Sequence, residues 1–299
     1  MKNEDMNINV FYWNPWSGCS KVSEGCKNCY NRTKYLKIDG DYILCKFNKT
    51  YFYNPTQKIR KFDEQLGKNI NTYKIPSGSI IKVCDTSDFL LEEADYYRKR
   101  AWRQILERKD CIFDITTKRP ERFMINLPNT WTQNGWHNVI LSVSVENQFR
   151  ADERIPKLLE LPVRYRGIEV APLQDRVDLR KYLSTGLIDR VTVAGESYTR
   201  HSENVIACNY DYVKDIQLQC EAYGVSFEFI STGNKLYKDK KVLTINTSDQ
   251  GKLAEFYGLT NTINQIDWEE NLAEIENLER IEQAAEIYAK INKNIKEAN

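Results

Sequence analysis

Cys19, Cys26 and Cys29 fall within one short loop with the spacing C-x6-C-x2-C. Three thiolates held together concentrate negative charge, which is unfavourable unless a cation compensates it. The triplet therefore points to a metal centre. A closed structural zinc site takes four protein ligands, so three leave a coordination position for something external. Few residues could supply a fourth ligand: His137 and His201 are the only histidines. Cys45 follows Cys29 with fifteen residues between them and no second C-x2-C knuckle, a poor match to a zinc finger. A [4Fe–4S] cluster on three cysteines keeps one iron open, and this suits the triplet better. Ser17, Gly18 and Gly25 are small enough to let backbone amides approach the sulfides. Cys84 and Cys111 sit in apolar runs and read as small buried hydrophobes.

Such a loop needs a scaffold. Short apolar runs recur at Asn9–Trp13, Ser79–Cys84, Cys111–Thr116, Val139–Val145, Gly167–Val170, Arg190–Val193 and Val225–Ile230. Helical patterns separate the later ones at Glu92–Glu107, Pro120–Met124, Gln148–Leu159, Asp178–Leu183 and Tyr210–Tyr223. Nearly continuous apolar strands alternating with helices predict a parallel α/β sheet. Right-handed crossovers then give a full or partial (β/α) TIM-like barrel, or an open doubly wound sheet. No phosphate-binding glycine fingerprint follows the first strand, which favours the barrel.

Polar residues gather where the strands end: Asp85, Ser87 and Asp88; Thr116, Lys118 and Arg119; Ser144 and Glu146; Glu196 and Ser197. In parallel barrels chemistry sits at the carboxyl ends of the strands. Each cluster alone has a plain explanation, such as helix capping, solvation or a turn. Their coincidence with the cysteine loop makes them candidates together. Glu169 lies between two aliphatic residues of a strand, and inside a barrel it requires a partner.

At 299 residues and 41% hydrophobic content the chain can bury a large core. Its net charge of +1 demands neither nucleic acid nor membrane. No signal peptide or membrane span is visible, so a cytoplasmic protein with reduced cysteines is expected. The expected domains are a barrel over 1–245 and a helical extension over 246–299. In the extension, Asp267–Lys296 reads as a long helix with an apolar stripe, either packed on the barrel or serving as a partner or dimer contact. Residues 30–74 read as a helix, Asn31–Lys37, followed by an irregular or hairpin insertion. Arg98, Lys99, Arg100, Arg103 and Arg108 would form a basic helix face suited to nucleic acid.

A strand, a three-cysteine loop and a parallel barrel together resemble the radical S-adenosylmethionine (radical SAM) superfamily, although its usual cysteine spacing is three residues and then two. The chain more closely resembles a family of uncharacterised three-cysteine proteins of phages and bacteria that carry W-N-P-x-x-G-C-x-K-V-S-x-G-C-x-N-C-Y, matched from Trp13 to Tyr30. Further likenesses are Thr86-Ser87-Asp88-Phe89, Thr117-Lys118-Arg119-Pro120, Ser144-Val145-Glu146-Asn147-Gln148 and Gly195-Glu196-Ser197. The family's usual Gly-Gly-Glu-Ser has Ala194 in its first place here, and its Phe-Lys-Gln is Phe229-Ile230-Ser231. The resemblance implies a [4Fe–4S] cluster on Cys19, Cys26 and Cys29, with S-adenosylmethionine on the fourth iron. An external electron donor would drive its cleavage to a 5′-deoxyadenosyl radical. It further implies that Asp85, Ser87, Asp88, Lys118, Arg119, Ser144, Glu146, Glu169, Glu196 and Ser197 hold S-adenosylmethionine. Lys118 or Arg119 would suit its carboxylate, and Asp85, Asp88, Glu146 or Glu196 its amine and hydroxyls. The substrate could be a nucleic acid, a nucleotide, a peptide or a small metabolite, and the phage context of the family favours nucleic acid. The alternative reading is a non-catalytic binding module, stapled by zinc or an iron–sulfur cluster, in a phage or host-defence setting.

Overall fold

The computed structural model describes residues 9–29, 45–197 and 204–261. Seven parallel strands form one sheet: β1 (Val10–Trp13), β2 (Ile80–Val83), β3 (Ile112–Thr117), β4 (Val139–Val145), β5 (Tyr165–Val170), β6 (Arg190–Ala194) and β7 (Ser226–Ser231). Each coincides with one of the seven apolar runs of the sequence. Each strand pairs with the next in chain order. Right-handed crossovers between sequential neighbours place all connections on one face, so the sheet curls with its other face inward. The result is a half-barrel with β1 and β7 as its two edges. Of the two forms the sequence allows, it is the partial one; among the described residues the sheet does not close.

The helices are α1 (Asp95–Glu107), α2 (Gln148–Glu160), α3 (Arg180–Leu183), α4 (Tyr210–Ala222) and α5 (Gln250–Phe256). Ala151, Ile155 and Leu158 of α2 are buried in the common core, which accounts for their helical spacing. Along the strands, Phe113, Ile115, Leu141, Val143, Ile168, Val170, Val191, Val193, Phe227 and Phe229 are all buried in that core. Their neighbours alternate to the concave face with period two. Register aligns Lys82 with Asp114, Thr116 with Ser142, Ser144 with Glu169, Glu169 with Thr192, and Thr192 with Glu228. A continuous polar lining results. Buried charges there are paired, as desolvation requires. Asp114 meets the Arg190 guanidinium and lies 3.9 Å from Lys82 Nζ, while Thr116 Oγ1 donates to Glu169 at 2.8 Å.

Residues 246–261 pack on this sheet: α5 lies against β7, and Asn261 bridges Phe227. The predicted helices Asn31–Lys37 and Asp267–Lys296 lie outside the described residues. Within the insertion, Lys58–Asp63 and Lys68–Tyr73 form an antiparallel hairpin. Of the five cations expected on a basic face of α1, Lys99 and Arg103 are exposed and Arg100 is half-buried, but two are not available. Arg98 and Arg108 are fully buried. Arg98 donates to Asp95 and to the Phe89 and Leu91 carbonyls, and Arg108 to Asp110 and the Pro55 and Ile75 carbonyls. Their charge is consumed in tying loops to the helix.

Candidate functional site

The cysteine loop leaves the carboxyl end of β1 and is fastened to the ends of β2, β3 and β4. The Trp16 indole donates to Asp88 O at 3.2 Å, and Ser87 Oγ donates to Gly18 O. Arg119, just beyond β3, donates to Ser20 O at 2.7 Å and Ser20 Oγ at 2.9 Å, while pairing with Asp88 at 2.7 Å. At β4, Ser23 Oγ donates to Glu146 at 2.7 Å, and Glu24 receives Arg150 at 2.8 Å. The Arg150 hydrogen bond holds the Glu24 carboxyl down at about 2. Gly25 lies so close to Glu146 that a Cβ would fall 2.3 Å from its Cγ. No larger residue fits there while Glu146 keeps its place.

Beneath the loop is a cavity of about 420 Å³ opening onto the concave face. Cys19, Cys26 and Cys29 line it on one side. Asp85, Ser87, Asp88, Lys118, Arg119, Ser144, Glu169, Glu196 and Ser197 line the rest. Nine of the ten predicted cofactor-binding residues thus surround one space. The tenth, Glu146, is fully buried under the loop and is not part of the wall. It receives Lys118 Nζ at 2.6 Å, Arg154 Nη1 at 3.0 Å and the Ser23 hydroxyl. Its carboxylate is an anchor that joins β3, α2 and the cysteine loop.

The wall residues differ in how committed they are. Asp88 accepts from Leu90 N, Thr117 Oγ1, Lys118 N and Arg119, which fills both oxygens. Lys118 gives its three protons to Ser144, Glu146 and the Ala171 carbonyl. Glu196 accepts from the Ile206 amide at 2.9 Å and from Gln174, and Ser197 donates to Gln250 at 2.7 Å. Glu169 has one oxygen engaged by Thr116. Gly195 is required by packing: a Cβ would stand 2.2 Å from the Thr232 carbonyl oxygen, where the β6 and β7 ends touch.

A family model described as a protein of unknown function (DUF5131) matches residues 7–270. The match takes in the cysteine loop, all seven strands and the whole cavity wall. The chain belongs to the DUF5131 family. No curated protein and no solved structure matches it.

Among the described residues of this DUF5131 chain, no three His, Cys, Asp or Glu side chains are arranged to hold one metal ion. A thiolate-held group gains from donors beside its sulfurs, and two are present. Arg119 Nη1 points at Cys19 Sγ from 3.7 Å, and Ser23 Oγ lies 3.9 Å from Cys26 Sγ. Hydrogen bonds and a cation at thiolate sulfur stabilise its charge and orient the ligand. Burial pushes the Cys19 thiol up to about 12, with Asp88 adding to the rise and Arg119 opposing it. All eight cysteines are unbridged, and Cys84 and Cys111 are buried as their apolar setting predicts.

Sequence reading misses Tyr12, Lys82 and Asp114, which also line the cavity. The available signal was a charged residue inside an otherwise apolar strand, as in Ile112-Phe113-Asp114-Ile115. No helix among the described residues is long and apolar enough to cross a membrane.

Proposed function

We propose that this DUF5131 protein is a radical SAM enzyme. The observation that carries the reading is that Cys19, Cys26 and Cys29 share one cavity with the polar strand ends of a parallel half-barrel. Cys19, Cys26 and Cys29 would hold three irons of a [4Fe–4S] cluster. Such a cluster, reduced by an external donor, would supply the one electron that cleaves S-adenosylmethionine to methionine and a 5′-deoxyadenosyl radical.

The chain's own residues contribute binding, orientation and exclusion of water. Arg119 sets the electrostatics at Cys19 and is itself held by Asp88. Lys118 and Arg119 were the residues suited to a carboxylate, yet both are neutralised, by Glu146 and Asp88 respectively. The S-adenosylmethionine amine and hydroxyls are therefore assigned to acceptors on the wall, with Glu169, Ser144, Ser87 and Glu196 nearest to free capacity. Asp85, exposed at the rim, guards the entrance. Free thiols and an oxygen-sensitive group together suit a reducing, cytoplasmic compartment.

The test is cleavage itself. Protein reconstituted with iron and sulfide under anaerobic conditions and given S-adenosylmethionine and dithionite is expected to form 5′-deoxyadenosine and methionine. Absence of 5′-deoxyadenosine from protein that carries a full cluster would overturn the reading.

A further inference from the structure

The Lys58–Asp63/Lys68–Tyr73 hairpin takes no part in the cavity. It carries four cations and two carboxylates, and its flanks add three more cations. Between residues 46 and 74 there are seven cations and two carboxylates, a net of +5 in a chain whose total is +1. Every other part taken together is therefore negative. Lys46, Lys49, Arg60, Lys61, Lys68 and Lys74 are exposed, and among the described residues none of them forms an ion pair. Arg98, Arg108, Arg119, Arg150 and Arg154, by contrast, each meet a carboxylate. Like charges left unpaired on a two-stranded ribbon repel one another, and an isolated hairpin is marginal in water.

We propose that this hairpin is a docking element for duplex DNA. A two-stranded ribbon fits the B-DNA major groove, which is about 12 Å wide and about 8.5 Å deep. Six residues per strand at about 3.4 Å each reach about 20 Å, enough to enter it. One face of the ribbon aligns Arg60 with Asn71, Phe62 with Asn69, and Lys58 with Tyr73. Arginine and asparagine are the side chains that pair with guanine and adenine edges. Lys61 and Lys68 lie on the other face, and Lys74 follows the second strand, placed for phosphate contacts. The base is firmly mounted. Lys74 N donates to Gln57 O at 2.8 Å, Tyr73 OH to Glu107 at 3.3 Å, and the Arg108 guanidinium lies 4.1 Å from the Tyr73 ring centroid. The deep, narrow major groove of duplex RNA would not admit the ribbon.

The experiment is fluorescence anisotropy of full-length protein with labelled 25-base-pair DNA, in parallel with an RNA duplex of the same sequence. It needs no cluster, so its outcome is independent of S-adenosylmethionine cleavage. Expected are DNA binding at about 50 mM salt and an affinity that falls steeply towards 200 mM as counterions are released. The triple change Arg60→Ala, Lys61→Ala and Lys68→Ala should weaken it at least about tenfold with a shallower salt slope. Changing Lys240 and Lys241 to alanine should leave it intact. Lys61→Glu, at an exposed position, reads out the same loss should the triple variant unfold. No DNA binding at low salt, binding untouched by these hairpin changes, or equal affinity for duplex RNA would each overturn the proposal.

Discussion

Cys26→Ala is expected to abolish both the brown iron–sulfur chromophore and formation of 5′-deoxyadenosine. Cys26 lines the cavity between two other thiols and carries the Ser23 hydroxyl near its sulfur. An open-iron cluster on three cysteines has no spare ligand, so removing one leaves two irons with exchangeable positions. The matched control is Cys45→Ala. Cys45 is half-buried and lies outside the cavity wall. It is also the nearest thiol in sequence that a zinc site could recruit. The account predicts that this variant keeps its cluster and its activity. The measurement is visible absorbance together with product quantified by chromatography. Cluster retained in Cys26→Ala, or metal lost in Cys45→Ala, would refute the ligand assignment.

Glu146→Gln carries the second large effect. The carboxylate is fully buried between the Lys118 ammonium and the Arg154 guanidinium. Neutralising it leaves two cations without their buried counter-ion, a change that typically costs about 3–5 kcal/mol. In a protein of this size that lowers Tm by about 5–8 °C. The anaerobic, metal-free protein should already show the drop by calorimetry, because the network exists without a cofactor. Glu169→Gln is the comparison. Glu169 is a wall carboxylate with a Thr116 hydroxyl as its hydrogen-bond partner, and its loss should cost about 1 kcal/mol. Equal shifts from the two variants would remove Glu146 from its anchoring role.

The strands were legible because their signal is local. Ile80–Val83 and Val139–Val145 are runs bounded by polar turns; the second is buried throughout, and in the first Ile81 and Val83 are buried. The cavity wall was legible for a topological reason: carboxyl ends of sequential parallel strands must meet at one rim. What the sequence hid is pairing. Nothing near Lys118 announces that its protons go to residues 26 to 53 positions away. Arg98 and Arg108 look solvent-facing on a charged helix, and only the fold brings carbonyls over them. Glu146 sits in the same polar cluster as wall residues, but its side chain turns under the loop, where Gly25 leaves room for it. The hairpin sequence alternates weakly and has no core to bury, so the sequence supports only an irregular or hairpin insertion there, without its strand bounds.

The central claim is that the cysteine triplet holds an open-iron cluster. Iron, zinc and acid-labile sulfide analysis of anaerobically purified protein tests it most directly. About four irons and four sulfides per chain, with no zinc, is the predicted result. One zinc per chain and no sulfide would contradict it.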